Sequence, residues 1–160
     1  LLDLVDQEDL SDIELTIAGH GALANEVKRC AKISRGRLSF AGNLPARELQ
    51  EKLQRSHVCL LPSYSEGMPK ILWEAFSCGL PMIATSVGGI PHHVTTDVNG
   101  FLVPTDSPSS IAVALKPLEQ DDSLRLQLGR NALLKARSHT MERQLDLLEP
   151  ELRQAMSRTR

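Results

Sequence analysis

Glu66 and Glu74, with seven residues between them in the run Ser63-Tyr64-Ser65-Glu66-Gly67-Met68-Pro69-Lys70-Ile71-Leu72-Trp73-Glu74-Ala75, have the types and spacing most suggestive of chemistry. Gly67 and Pro69 mark a turn that opens a helix, so one carboxylate falls on a loop and the other inside the helix. Two acceptors held apart in this way suit a ligand with hydroxyls at both ends and phosphate in the middle. A nucleotide sugar is such a ligand.

The start of that helix carries the next expectation. Pro69 suits the first helical position, where its missing N–H forfeits no hydrogen bond. Gly67 and Met68 supply no capping side chain, which leaves the first amides free unless Ser65 reaches them. Free N–H groups and the helix dipole together form an anion site. A diphosphate is therefore expected near the amides of Gly67, Met68 and Lys70. Lys70 and Glu74 are four apart, which leaves two readings: a surface salt bridge, or a lysine facing phosphate with Glu74 accepting from ribose hydroxyls. Lysine before glutamate is the poorer order and a cation at a helix start opposes the dipole, each costing about a few tenths of a kcal/mol.

These residues need strands and helices to place them. Ile13 to Gly19 alternates like a strand, and Ala22 to Ser34 has helical spacing. The cycle repeats with strand Arg37 to Ala41, helix Pro45 to Ser56, strand Val58 to Leu61, helix Pro69 to Cys78, strand Pro81 to Thr85 and a short strand Gly100 to Val103. This rhythm implies an α/β fold, a Rossmann-like parallel sheet with helices on both faces. Val58 to Leu61 and Met82 to Ala84 are continuously apolar, as in strands covered on both faces. A helical tail follows at about 109–157, in three segments: Ser109 to Gln120, Leu124 to Arg137 and Met141 to Ser157. Pro117 and Pro150 are expected to break or kink the first and last. Leu1 to Val5 resembles a helix end with no strand before it, as if one incomplete domain, 1–160, began inside a larger protein.

In open parallel sheets ligands bind outside the carboxyl ends of the strands. Gly19-His20-Gly21, Gly42-Asn43-Leu44, Ser63 to Lys70 and Ser86 to Pro91 each follow a strand. One glycine turn is ordinarily a tight loop; four along one edge point to a site. Gly19, Gly21, Asn43 and Leu44 thereby join Glu66, Gly67, Met68, Pro69, Lys70 and Glu74 as candidates.

Composition excludes other classes. A formal charge of −2 and 3% aromatic residues offer no basic or stacking surface for nucleic acid. No apolar run approaches the roughly 18 residues needed to cross a bilayer, and no signal pattern opens the chain. The expected location is the cytoplasm or the inner membrane surface. Cys30, Cys59 and Cys78 lack metal-ligand spacing and read as reduced structural thiols. His92 and His93, being adjacent, point in different directions and read as surface or helix-start residues rather than metal ligands. No Asp-x-Asp occurs to clamp a divalent metal on a diphosphate.

The string from Leu61-Pro62-Ser63 to Gly67-Met68-Pro69, continued by Glu74-Ala75-Phe76-Ser77-Cys78-Gly79-Leu80-Pro81, Gly88-Gly89-Ile90-Pro91 and Asn99 to Pro104, strongly resembles the group 1 glycosyltransferases. The resemblance spans roughly Leu1 to Ala136. It implies a retaining, metal-independent hexosyltransferase of the GT-B architecture with no cofactor, and this chain as its C-terminal donor-binding domain. It further implies Glu66 as the catalytic residue at the transferred sugar, Glu74 on the ribose, the amides of Gly67, Met68 and Lys70 on sugar hydroxyls and phosphate, and Gly42-Asn43-Leu44 beside the base. By the same resemblance, the first strand, with an arginine and a lysine for the diphosphate, lies upstream of Leu1. So does the domain that binds the acceptor, whether glycan, lipid or small molecule. The chain departs from the family at His92, where glutamate is usual, and in the tail at Ser138-His139-Thr140-Met141. The rival readings are a non-catalytic nucleotide-sugar sensor or scaffold, and a sugar-nucleotide epimerase.

Overall fold

The computed structural model describes residues 12–140 together with 142, 143, 146, 148–150 and 153. Five strands alternate with helices: β1 (Leu15–Ala18), α1 (Ala24–Ile33), β2 (Leu38–Gly42), α2 (Ala46–Gln54), β3 (Cys59–Leu61), α3 (Lys70–Ser77), β4 (Met82–Thr85) and β5 (Gly100–Val103), then α4 (Pro108–Gln120) and α5 (Asp122–Arg137). A single 3-10 turn, Ile90–His92, lies between β4 and β5. All strand pairings are parallel, as the alternation requires. The expected ends of Leu1 to Val5 and much of Met141 to Ser157 lie outside the described residues.

The strands form two sheets, β1 beside β2 and β3-β4-β5 in that order. β4 is the central strand of the second sheet and all four of its residues are buried. Met82 and Ala84 enter a core with Leu72, Ala75 and Phe76 of α3 and Ala132 of α5. Ile83 points the other way, into a core with Ile111, Leu115 and Leu118 of α4 and Leu128 of α5. Helices thus cover both faces, and each fully buried Phe76, Leu72 or Met82 contributes about 1.5–3 kcal/mol relative to an exposed position. β3 has the same continuous apolar character, yet it is an edge strand and Leu60 and Leu61 are only half-buried.

The site helix is held from behind. α3 ends at Gly79, whose φ of +71° suits only glycine comfortably, and the chain turns back so that Leu80 N–H donates to Ala75 O at 3.1 Å. α5 crosses at that point. A Cβ on Gly129 would stand 2.2 Å from the Gly79 carbonyl oxygen, so the two backbones meet with no side chain between them.

The expectation that Pro117 breaks its helix is corrected. Pro117 lies inside α4 and does not break it; the helix runs three residues further, and Asp121 N–H donates to Pro117 O at 3.1 Å. Near the end of a helix the missing N–H removes only one rung of the ladder, and the apolar face of Ile111, Leu115 and Leu118 holds the remaining turns in place. Asp121 then caps α5 by accepting from Leu124 N–H at 3.0 Å, which makes a one-residue joint. Pro150 is itself helical, and the two residues after it lie outside the described residues.

Candidate functional site

Three hydrogen bonds hold the loop from β3 to α3: one to β4, one within the loop and one to the turn after β4. Thr85, at the end of β4 and buried, donates from Oγ1 to the Ser63 carbonyl at 2.5 Å. Ser63 in turn donates from Oγ to Glu66 Oε1 at 2.7 Å, so the half-buried Glu66 carboxylate has a fixed heading, and among the described residues no hydrogen bond reaches Oε2. The third contact is Gly89 N–H to the Gly67 carbonyl at 2.9 Å. Gly88 has φ +53°, and a Cβ there would stand 1.6 Å from the Glu66 carbonyl oxygen. The Gly88-Gly89 turn is therefore pressed against the backbone of Glu66 and Gly67 in a way no other residue pair permits.

Pro69 is the residue before the first helical turn, not within it. Its φ of −71° fits a helix but its ψ of 123° is extended, so α3 begins at Lys70. No side chain caps this end and its first turn holds no acidic residue, so Ser65 does not reach the free amides. Lys70 is exposed and forms no ion pair among the described residues. The salt bridge with Glu74 is thus not made. Glu74 is half-buried further along α3, within electrostatic reach of Cys59 and Cys78. Burial first, and then the Glu74 charge, pushes the Cys59 thiol up to about 12 and raises that of Cys78. All three cysteines are free, and these two are poor nucleophiles.

The structure gathers Glu66, Gly67, Met68, Pro69 and Lys70 with the Gly88-Gly89 turn, and Met68 Cε lies against Gly89. Gly19, Gly21, Asn43 and Leu44 stand apart from this group, at the carboxyl ends of the first sheet. Gly19 N–H bonds Gly42 O at 2.7 Å, which joins their two loops. Leu44 lines a shallow hollow with Glu48 and Lys52 of α2 and with Arg55 just past its end. Among the described residues no hydrogen bond links these four residues to the Glu66 loop.

Sequence reasoning assigned no role to Ser63 or Thr85. A threonine closing an otherwise apolar strand was the available signal, because a buried hydroxyl needs a partner. Asn99 was also missed as a structural residue. It is buried, accepts from Thr95 N–H at 2.8 Å and donates to the His93 carbonyl at 2.9 Å, organising the turn before β5. Of the adjacent histidines, His92 is exposed and His93 half-buried.

Residues 1–121 match the family described as glycosyl transferases group 1. The chain belongs to that family. Among its relatives, D-inositol 3-phosphate glycosyltransferase of Corynebacterium jeikeium is 31% identical over 137 residues, covering 81% of this chain and 33% of the relative. The group 1 chain thus spans about a third of the length of such curated relatives. Sucrose-phosphate synthase of Thermosynechococcus elongatus superposes with a TM-score of 0.79 at 23% identity, over 99% of this chain and 42% of the other. HepE of Anabaena, solved in complex with UDP-glucose, gives 0.71 at 21% identity over 83% of this chain and 39% of the other. These likenesses show the fold, parallel strands with helices on both sides, to be that of GT-B glycosyltransferases, helical tail included. No helix among the described residues is long and apolar enough to cross a membrane.

Proposed function

We propose that this chain is the donor-binding half of a retaining glycosyltransferase that moves a hexose from a nucleotide-diphospho-sugar to an acceptor. The observation that carries the reading is the Glu66 carboxylate, oriented by Ser63 at 2.7 Å and set beside an uncapped helix start. Glu66 contacts the transferred sugar near the reacting carbon through Oε2. The amides at the start of α3 and the unpaired Lys70 receive the departing diphosphate, and electrostatic stabilisation of that group is the main catalytic contribution. Glu74 accepts from the ribose, while Gly19, Gly21, Asn43 and Leu44 border the nucleotide. Ser63 and Thr85 act through Glu66 as positioning residues.

The reaction needs no metal and no cofactor in this reading. That part of the reading comes from the resemblance and from the lack of Asp-x-Asp in the sequence. The nucleotide-sugar donor is supported by HepE, solved with UDP-glucose. The acceptor is held by a further domain of a longer protein, in the cytoplasm or at the inner membrane surface.

The test uses the longer protein that contains these residues. Glu66→Ala lowers turnover at least about 100-fold while donor affinity changes less than about tenfold, and Glu74→Ala mainly weakens donor binding. Equal turnover in wild type and Glu66→Ala refutes the assignment. Donor binding without transfer in the intact protein would favour the non-catalytic sensor.

A further inference from the structure

Three rings meet behind the site helix, away from Glu66. Trp73 of α3 stacks on His139, just past the end of α5, with ring centroids 4.9 Å apart and planes inclined by 22°. His93, after the 3-10 turn, packs edge-on against both, 4.7 Å from Trp73 and 5.3 Å from His139. The three residues come from three separate elements, so the cluster ties the exit of α5 to α3 through the turn after β4.

His93 is confined within it. Its carbonyl is held by the Asn99 side chain at 2.9 Å, and its Nδ1 is buried with no hydrogen-bond partner among the described residues. His139 Nδ1, by contrast, lies 3.0 Å from Ser138 Oγ and 3.2 Å from the Lys135 carbonyl. A neutral His93 can leave Nδ1 as an unused acceptor at modest cost. A protonated His93 has a donor there with nothing to receive it.

The charges around His93 are all of one sign. The end of α5 presents Lys135 and His139, its own turn presents His92, and α3 presents the uncharged Trp73. We propose that the Trp73, His93 and His139 rings form a pH-sensitive clasp, in which protonation of His93 releases the end of α5 from the site helix. Burial, then the His139, Lys135 and His92 charges, lower the His93 pKa from its ordinary value. A base whose pKa is lowered in the packed state favours packing above its free pKa of about 6.5, and that preference is lost as pH falls through the window below it. The clasp is therefore closed at neutral pH and opens on acidification.

Trp73 is the only tryptophan of the 160 residues, so its fluorescence reports the clasp without reference to activity. Acrylamide quenching of this chain is measured from pH 8 to pH 5. The quenching constant is expected to rise about twofold as pH falls below about 6.5. In His93→Phe, which keeps a ring against Trp73 but takes no proton, that rise is lost. A flat profile in the wild type, or the same rise in His93→Phe, overturns the proposal. Should His93→Phe not fold by circular dichroism, histidine ring resonances of the wild type decide. A His93 midpoint below about 6.5 that coincides with the quenching change supports the clasp, and a midpoint at or above it overturns it.

Discussion

In β4 every residue is buried, whereas in β1 burial alternates and even Leu15 and Ile17 are only half-covered. Both strands sit in parallel sheets, and their local patterns already differ, alternating from Ile13 to Gly19 and continuously apolar from Met82 to Ala84. Their neighbours match those patterns. β4 is flanked by β3 and β5 and covered on both faces, while β1 pairs only with β2. The residues proposed to do chemistry follow the same division. Glu66 is tied through Ser63, Thr85 and Gly89, whereas Asn43 is exposed on a loop whose neighbours give it no side-chain bond. The second sheet is the better-packed support, and it holds the proposed catalytic carboxylate. The first sheet, which carries the residues proposed for the nucleotide, is the less covered of the two among the described residues.

Paired substitutions test that division. Phe76 is fully buried and Phe40 half-buried at the outer sheet, with Lys28 Nζ 5.7 Å from its ring centre. Phe76→Ala is expected to destabilise by about 3–5 kcal/mol and Phe40→Ala by about 1–2 kcal/mol, measured by urea unfolding. Equal costs would mean that the two sheets are equally well packed. Gly88→Ala comes next, at about 3 kcal/mol, since its Cβ would overlap the Glu66 carbonyl. Gly21→Ala, at φ +154° with open space around it, carries a backbone cost but no overlap, and is expected to cost about 1–3 kcal/mol. Thr85→Val leaves the Ser63 carbonyl without its donor, at about 1–2 kcal/mol. Thr16→Val in β1 removes only an exposed hydroxyl contact with Ser39, at less than about 0.5 kcal/mol. A Thr85→Val protein as stable as wild type would break the proposed support of Glu66.

Much of this was legible in the chain itself. Each strand and helix inferred from periodicity within the described residues exists, with ends shifted by a residue or two, because alternation and helical spacing are local properties. What was not legible is what depends on residues far apart. The division into two sheets follows from strand neighbours, which no window of sequence contains. The Thr85 to Ser63 bond joins positions 22 apart, and the Trp73, His93 and His139 rings meet from three elements. Pro117 misled for a related reason. A local rule read it as a breaker, but the buried face of α4 outweighs one missing rung. At the site, the lack of a cap was readable from Gly67 and Met68, while the lack of a Lys70 to Glu74 bridge was not, since either outcome fits that spacing.

The meeting of Gly79 and Gly129 bears on how such a protein diversifies. With backbone against backbone, α3 and α5 are fixed where they cross, so on the proposed donor-binding reading a change of donor preference is not expected from moving the helix. It is expected instead from the exposed Tyr64 and Met68 on the preceding loop. Specificity is therefore adjustable at the rim of a fixed post, and mutagenesis aimed at new donors should leave positions 79 and 129 untouched while randomising the loop.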